Sequence, residues 1–166
     1  MSRMIEPDIS APVDGRQSQR ALEIQRGTSR LLRRHGFVCL PEMTLKSGRR
    51  ADLFAINNKG EVWIVEIKSS IADFRADNKW PDYWDFCDRL FFATNQETPA
   101  EIFPEEAGLI IADAHGAEIV RHVEEQKLAA ARRKAVTLRF AQLAAARLHA
   151  IHDPGRVPVH IEPNKL

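Results

Sequence analysis

Three residues near the middle of the chain have the types and spacing for metal-assisted phosphate chemistry. They are Asp52, Glu66 and Lys68, in the stretch RRADLFAINNKGEVWIVEIKSS at 49–70. Carboxylate oxygens are the hard ligands that magnesium or manganese prefers. A cation held by such a pair polarises a scissile phosphate and lowers the pKa of a bound water. A neighbouring lysine orients that water or offsets charge developing on phosphate oxygens. Glu66 and Lys68 follow the apolar run Val62-Trp63-Ile64-Val65, which suits a strand covered on both faces. Residues two apart on a strand share a face, so both charges lie on the side of Ile64. Burying them without partners is costly, which marks either a cleft or a bound ligand. The plainer alternative is a Glu–Lys pair at a sheet end with no ligand.

The neighbouring turns determine what stands beside these residues. Asn57-Asn58-Lys59-Gly60 has Asn first and Gly fourth, as in a type I turn closing a three-residue hairpin loop. Asn57 then pairs with Glu61, and counting back places Asp52 opposite Glu66. Leu45-Lys46-Ser47-Gly48 has the same form, so Leu45 pairs with Arg49 and Glu42 falls opposite Asp52. Glu42, Asp52 and Glu66 would form a row of carboxylates across three antiparallel strands. Like charges directly opposite destabilise a sheet, and a divalent cation, Mg2+ or Mn2+, would remove that penalty. A one-residue slip in either turn would break the row.

The elements that must position this row follow a simple order. Residues 1–15, with Pro7, Pro12 and Gly15, read as a poorly ordered arm. The folded domain spans 16–152. Residues 16–35 read as a helix stopped at Gly36, with Ile24, Leu31 and Leu32 as its apolar stripe. Its polar face carries Arg16, Arg20, Arg26, Arg30, Arg33 and Arg34 against a single acid, Glu23. That face is either a solvated surface or a phosphate contact, the latter using Arg26 and Arg30. Gly27 in mid-helix points to close backbone approach there. Strands follow at 37–45, 49–57 and 61–69, then Ser69-Ser70 as a helix cap, a short helix from Pro81 to about Cys87, and a strand at 89–94. Leu109–Ala112 and Ala117–His122 flank the turn Asp113-Ala114-His115-Gly116. A long helix is expected over 124–152, its stripe formed by Leu128, Ala131, Ala135, Leu138, Ala145 and Leu148 and widened by Val136, Phe140, Leu143 and Ile151. Its small side chains suit packing on the sheet or on a second subunit, so a homodimer is one expectation. The tail 153–166, with Pro154, Pro158 and Pro163, is expected to be extended. The whole is an α/β fold with a mixed central sheet flanked by helices.

The segment Asp77 to Cys87, DNKWPDYWDFC, places Lys79 and Tyr83 four apart, as it does Trp80 and Trp84. Lys79 and Tyr83 could reach a phosphate or a metal-bound water, while the tryptophans stack on a base or pack in the core. The basic cluster Arg132-Arg133-Lys134 is another phosphate contact or a solvated face. No histidine grouping suits zinc, no Ser or Cys sits in a nucleophile elbow, and no Gly-rich loop would cradle a nucleotide. The chain of 166 residues, 44% hydrophobic and 28% charged with a net charge of +1, is an ordinary globular composition. No apolar run is long enough to span a membrane. The start MSRMIEPDIS lacks an apolar export segment, and Cys39 and Cys87 have no redox spacing, so a cytoplasmic protein with reduced thiols is expected.

The order helix, three strands, helix, strand, with Ala51-Asp52 on the second strand and Glu66-Ile67-Lys68 on the third, resembles the PD-(D/E)XK nuclease superfamily. More closely, RRADLFAI, VEIKSS, DNKWPDYWDFCDRLFFAT and ARRKAVTLRFAQLAAARL resemble the MmcB family of bacterial DNA-repair, endonuclease-like proteins. The resemblance implies a restriction-endonuclease-like fold and a magnesium-dependent endonuclease acting on DNA, with Asp52 and Glu66 as metal ligands and Lys68 as the catalytic lysine. A fourth acid is taken from the first helix in many superfamily members, where Glu23 stands; the strand register favours Glu42. Lys79 stands where some members carry the Gln of a Gln-x-x-x-Tyr motif ending here at Tyr83. A DNA-binding repair or adaptor protein without catalysis, and a protein-interaction module presenting the last helix, are the two rival readings.

Overall fold

The structure, a computed structural model, describes residues 18–155; the expected N-terminal arm and all but the first residues of the expected tail lie outside this range. Helix α1, Gln19–Arg34, begins where the Ser18 hydroxyl accepts a hydrogen bond from the Ala21 N–H at 3.1 Å. It ends at His35, before Gly36 with φ +81°. Strands β1 (Phe37–Thr44), β2 (Arg50–Asn57) and β3 (Val62–Ile67) form two successive hairpins. Both loops close as their residues predict. The Asn57 N–H donates to the Glu61 carbonyl and the Leu45 N–H to the Arg49 carbonyl. Ser70 then caps the short helix α2, Ile71–Ala76. A 3-10 helix with Pro81 in its first turn, Trp80–Phe86, leads into β4, Arg89–Thr94. Strands β5 (Gly108–Ala112) and β6 (Ala117–Arg121) form the last hairpin, and α3 (Ala130–His152) closes the described chain.

The six strands lie in chain order in one mixed sheet. The pairs β1–β2, β2–β3 and β5–β6 are antiparallel, whereas β3–β4 and β4–β5 are parallel. All six residues of β3 are buried, as its apolar run demands of a strand covered on both sides. On one face α1 packs Ile24, Leu31 and Leu32 onto Leu53, Ala55, Trp63, Val65, Ile67 and Phe91. On the other, Phe54, Val62, Ile64 and Phe92 meet Tyr83 and Phe86 of the 3-10 helix and Val136 of α3. Glu66 and Lys68 alternate with Ile64 and so belong to this second face.

Gly27 sits where α1 crosses the β5–β6 turn. A Cβ there would stand 2.2 Å from the Asp113 carbonyl oxygen and 2.4 Å from that of Gly116. The glycine in mid-helix is thus explained by the close approach of another backbone.

The last helix differs from expectation in start and orientation. It begins at Ala130, not 124, because residues 122–129 run without helix or strand structure past a buried carboxylate, Asp88. Asp88 accepts the Leu128 N–H at 2.9 Å and the Val62 N–H at 2.7 Å. Arg133 supplies two more bonds, both at 2.7 Å, and the Gln126 N–H donates to the Asp88 carbonyl. These bonds outbid the early turns of a helix. Val136, Phe140, Leu143 and Ala144 face the sheet, while Leu138, Leu148 and Ile151 of the expected stripe are exposed. Spacings of three and four from Val136 carry the stripe to Arg147, which donates to the Pro41 and Glu42 carbonyls.

Two stability predictions follow from these contacts. Gly27→Ala should lower stability by about 1–3 kcal/mol through overpacking, although Ala ordinarily gains roughly 1 kcal/mol over Gly in a helix. Asp88→Ala should cost about 3–5 kcal/mol, since it leaves two buried N–H groups without their acceptor and Arg133 without its carboxylate. Denaturant unfolding followed by circular dichroism measures both.

Candidate active site

The β2–β3 ladder runs from Ile56↔Val62 to Leu53↔Val65, and the next rung would join Asp52 to Glu66. There the side chains replace the backbone pairing. The Asp52 N–H donates to Glu66 Oε1 at 3.2 Å, and the Ile67 N–H donates to Asp52 Oδ2 at 2.7 Å. The two carboxylates therefore stand crosswise in the opening between two strands. Each has one oxygen engaged, and among the described residues neither makes a further hydrogen bond. Glu66 is 3% exposed and Lys68 7%.

The end of β3 is fastened on its other side to β4. The Lys68 N–H donates to the Ala93 carbonyl, the Thr94 hydroxyl donates to the Lys68 carbonyl at 2.7 Å, and the Asn95 amide donates to the Ser69 carbonyl at 3.1 Å. This holds the Lys68 backbone firmly while its side chain reaches outward. The Lys68 Nζ donates to Asp77 Oδ2 at 2.8 Å, and Asp77 Oδ1 in turn accepts the Lys79 N–H at 2.9 Å.

The charges confirm that these groups sense one another. Burial, above all, pushes Asp52 up to about 6; the charges of Glu42 and Asp73 add to this, while the Ile67 N–H and Lys68 act against it. Glu66 is held well above the ordinary carboxylate range by burial first and the Asp52 charge second. Burial alone would pull Lys68 down, but the hydrogen bond from its ammonium to Asp77 and the charges of Asp77, Glu66 and Asp52 outweigh it, and its pKa is raised. Asp77 is lowered because the Lys68 hydrogen bond and the Lys79 N–H outweigh its partial burial. The Tyr83 phenol, raised by burial and by Glu66, Asp52 and Asp77, stays neutral and donates to the Arg50 carbonyl at 2.9 Å.

Of the residues singled out by sequence, Asp52, Glu66 and Lys68 come together, with Tyr83 beside them. Lys79 is exposed at the edge of the same segment, tied through its backbone to Asp77. Glu42 keeps the expected register with Asp52, between the pairs Pro41↔Leu53 and Met43↔Ala51. It is, however, the one described non-glycine residue with positive φ, +54°, and its carboxylate forms an ion pair with Arg50. Its charge reaches Asp52 and raises the Asp52 pKa. Arg26, Arg30 and Glu23 are on α1, across the sheet from the acid pair. Within the basic cluster of α3, Arg133 is committed to Asp88 and Arg132 lies over the Phe86 ring at 4.8 Å.

The sequence reading missed Asp77 as the partner of Lys68. Its only local signal was an acid two residues before a lysine, just after a short helix. Arg49 was missed too. It donates to Asp82 from two nitrogens at 3.2 Å, and its positive charge reaches Asp77 and Tyr83.

The donor set suits a hard divalent cation. Glu66 is buried and Asp52 half-buried, the Asp52 charge raises the proton affinity of Glu66, and each has an oxygen with no partner among the described residues. No three acidic, histidine or cysteine side chains gather as a ligand set among the described residues. Magnesium is commonly held by one or two carboxylates, with waters and substrate phosphates completing its shell.

Comparison with known proteins places the chain. A family model described as DNA repair protein MmcB-like matches residues 9–155. The chain belongs to the MmcB-like family. Among solved structures, the fold matches the SPO1766 protein of unknown function from Silicibacter pomeroyi with a TM-score of 0.81 and 49% identity, covering 87% of this chain and 99% of that one. No match was found among curated proteins. No described helix is long and apolar enough to cross a membrane. The MmcB-like assignment thus agrees with the resemblance carried by RRADLFAI and VEIKSS.

The raised Asp52 pKa makes stability depend on pH. An acid with a higher pKa folded than unfolded binds extra protons in the folded state, so stability falls as pH rises from about 4 through about 6. Asp52→Asn keeps an acceptor for the Ile67 N–H and removes the charge. It should raise stability near pH 7.5 by about 2–3 kcal/mol and leave it unchanged near pH 4, as read from Tm against pH.

Proposed function

We propose that this MmcB-like protein is a metal-dependent endodeoxyribonuclease of the PD-(D/E)XK kind acting in DNA repair. Asp52 and Glu66 would hold Mg2+ or Mn2+, and Lys68 would be the catalytic cation. The observation that carries this reading is the lost ladder rung between Asp52 and Glu66, filled by one half-buried and one buried carboxylate. A sheet with no use for them would be steadier with apolar residues there.

When bound, the ion would supply Lewis-acid polarisation of a phosphate and a more acidic water. The protein's own groups do the rest. The Asp52 and Glu66 oxygens that lack a protein partner supply the negative charge that seats the ion. Lys68 remains protonated and, aimed by Asp77, offsets charge developing on the phosphate oxygens. Tyr83 stays a neutral donor at this face. Lys79 and Arg49, at the rim, would position the DNA backbone.

The test is cleavage of supercoiled plasmid and labelled oligonucleotides with magnesium or manganese. Asp52→Ala, Glu66→Ala and Lys68→Ala should each lower the rate by roughly 100-fold or more. Cleavage that survives Asp52→Ala removes the site. A second reading, a DNA-repair protein that binds without cutting, is favoured by one observation: Asp77 already holds the Lys68 ammonium in an ion pair. It predicts no cleavage with any divalent ion and DNA affinity unaffected by Lys68→Ala.

A further inference from the structure

The arginine face of α1 is not part of the acid site, yet its charge is left standing. Arg26, Arg30, Arg33 and Arg34 are all exposed. Three acids on or against α1 are occupied elsewhere. Glu23 accepts from the Gln19 amide, Glu97 is paired with Arg20 at 2.7 Å, and Asp113 binds the His115 and Gly116 N–H groups. Among the described residues, none of the four arginines makes an ion pair.

Two of them are nonetheless held in place. Arg30 Nη1 donates to the Ala114 and His115 carbonyls at 3.3 and 3.0 Å, and Arg34 Nη2 donates to the Ala117 carbonyl at 3.3 Å. Carbonyl oxygens are neutral, so they orient a guanidinium without cancelling its charge. Gly27 presses the helix onto this same turn, which makes helix and turn one rigid support. Arg26, Arg30 and Arg34, each four residues from the next, climb about 6 Å per step, and Arg33, seven residues from Arg26 and three from Arg30, stands in the same row.

We propose that this arginine row is a second nucleic-acid surface that binds phosphates of a backbone segment distinct from the one at Asp52 and Glu66. The two surfaces have the sheet between them and cannot share a phosphate. A lipid surface is the less suitable partner. The apolar stripe of α1 is buried in the core, and none of the exposed large apolar residues lies on α1. This inference shares the DNA ligand with the preceding reading and none of its chemistry.

The test is fluorescence anisotropy of the full chain with labelled duplex DNA, in chelator so that no cutting occurs, across a sodium chloride series. Arg26→Ala/Arg33→Ala changes two exposed side chains that make no hydrogen bond to the turn, so folding should be kept, as circular dichroism would verify. The slope of log affinity against log salt should fall in magnitude by roughly two, at about 0.9 per lost phosphate contact. A control double variant on the hairpin loops, Lys46→Ala/Lys59→Ala, should leave the slope unchanged. Equal slopes for the arginine variant and the parent chain overturn the proposal. So does an equal fall in the lysine control, or capture by anionic phosphatidylserine vesicles without DNA binding. Because the assay reads binding alone, absence of nuclease activity leaves its outcome intact.

Discussion

A carboxylate drawn out of water is costly to keep charged without a cation beside it, and one accepts a backbone N–H at each end of β3. At its start, Asp88 takes the Val62 N–H, and Arg133 neutralises it with two short bonds. Its pKa is accordingly lowered, the Arg133 hydrogen bonds, the Leu128 and Val62 N–H bonds and the Arg133 charge together outweighing burial. At its finish, Asp52 takes the Ile67 N–H, but Lys68 is drawn toward Asp77 and Glu66 adds a second negative charge. The same local bond thus yields a structural pin at one end and an unsettled charge at the other. What separates them is whether an arginine is within reach.

Much of this was legible from short-range rules. The Asn57–Gly60 and Leu45–Gly48 turns set the hairpin register, and that register alone placed Asp52 opposite Glu66. Gly27 announced a close approach, and Ser70 a helix start. Alternation from Ile64, which packs with Tyr83 and Phe86, puts Glu66 and Lys68 on that face.

What escaped was long-range. Asp88 and Arg133 are 45 positions apart, and no periodicity reveals that a carboxylate will claim the amide of Leu128 and delay a helix. Asp77 lies in a loop whose path depends on the packing of Phe74 and Trp80 against Phe92. The side of the sheet on which α1 would lie was equally invisible, so Arg26 and Arg30 could be counted as basic but not located. Nor does periodicity say which flank of an alanine-rich helix meets the sheet. Ala, Leu and Val alternate so evenly along α3 that two overlapping stripes compete, and Phe140 with Arg147 decides between them.

The backbone turn at Glu42 has its own consequence. Leu40, Met43 and Leu45 all enter the same side of the core, which a regular strand with its alternating sides would forbid. The reversed φ shifts the strand's phase by one residue at that point. A left-handed conformation costs a side-chain-bearing residue about 1–2 kcal/mol, and glycine would adopt it freely. The chain keeps an acid there, beside Arg50 and within the field of Asp52. Its kink therefore serves two ends at once, inverting the inward-facing set of β1 while retaining a negative charge that glycine would not provide.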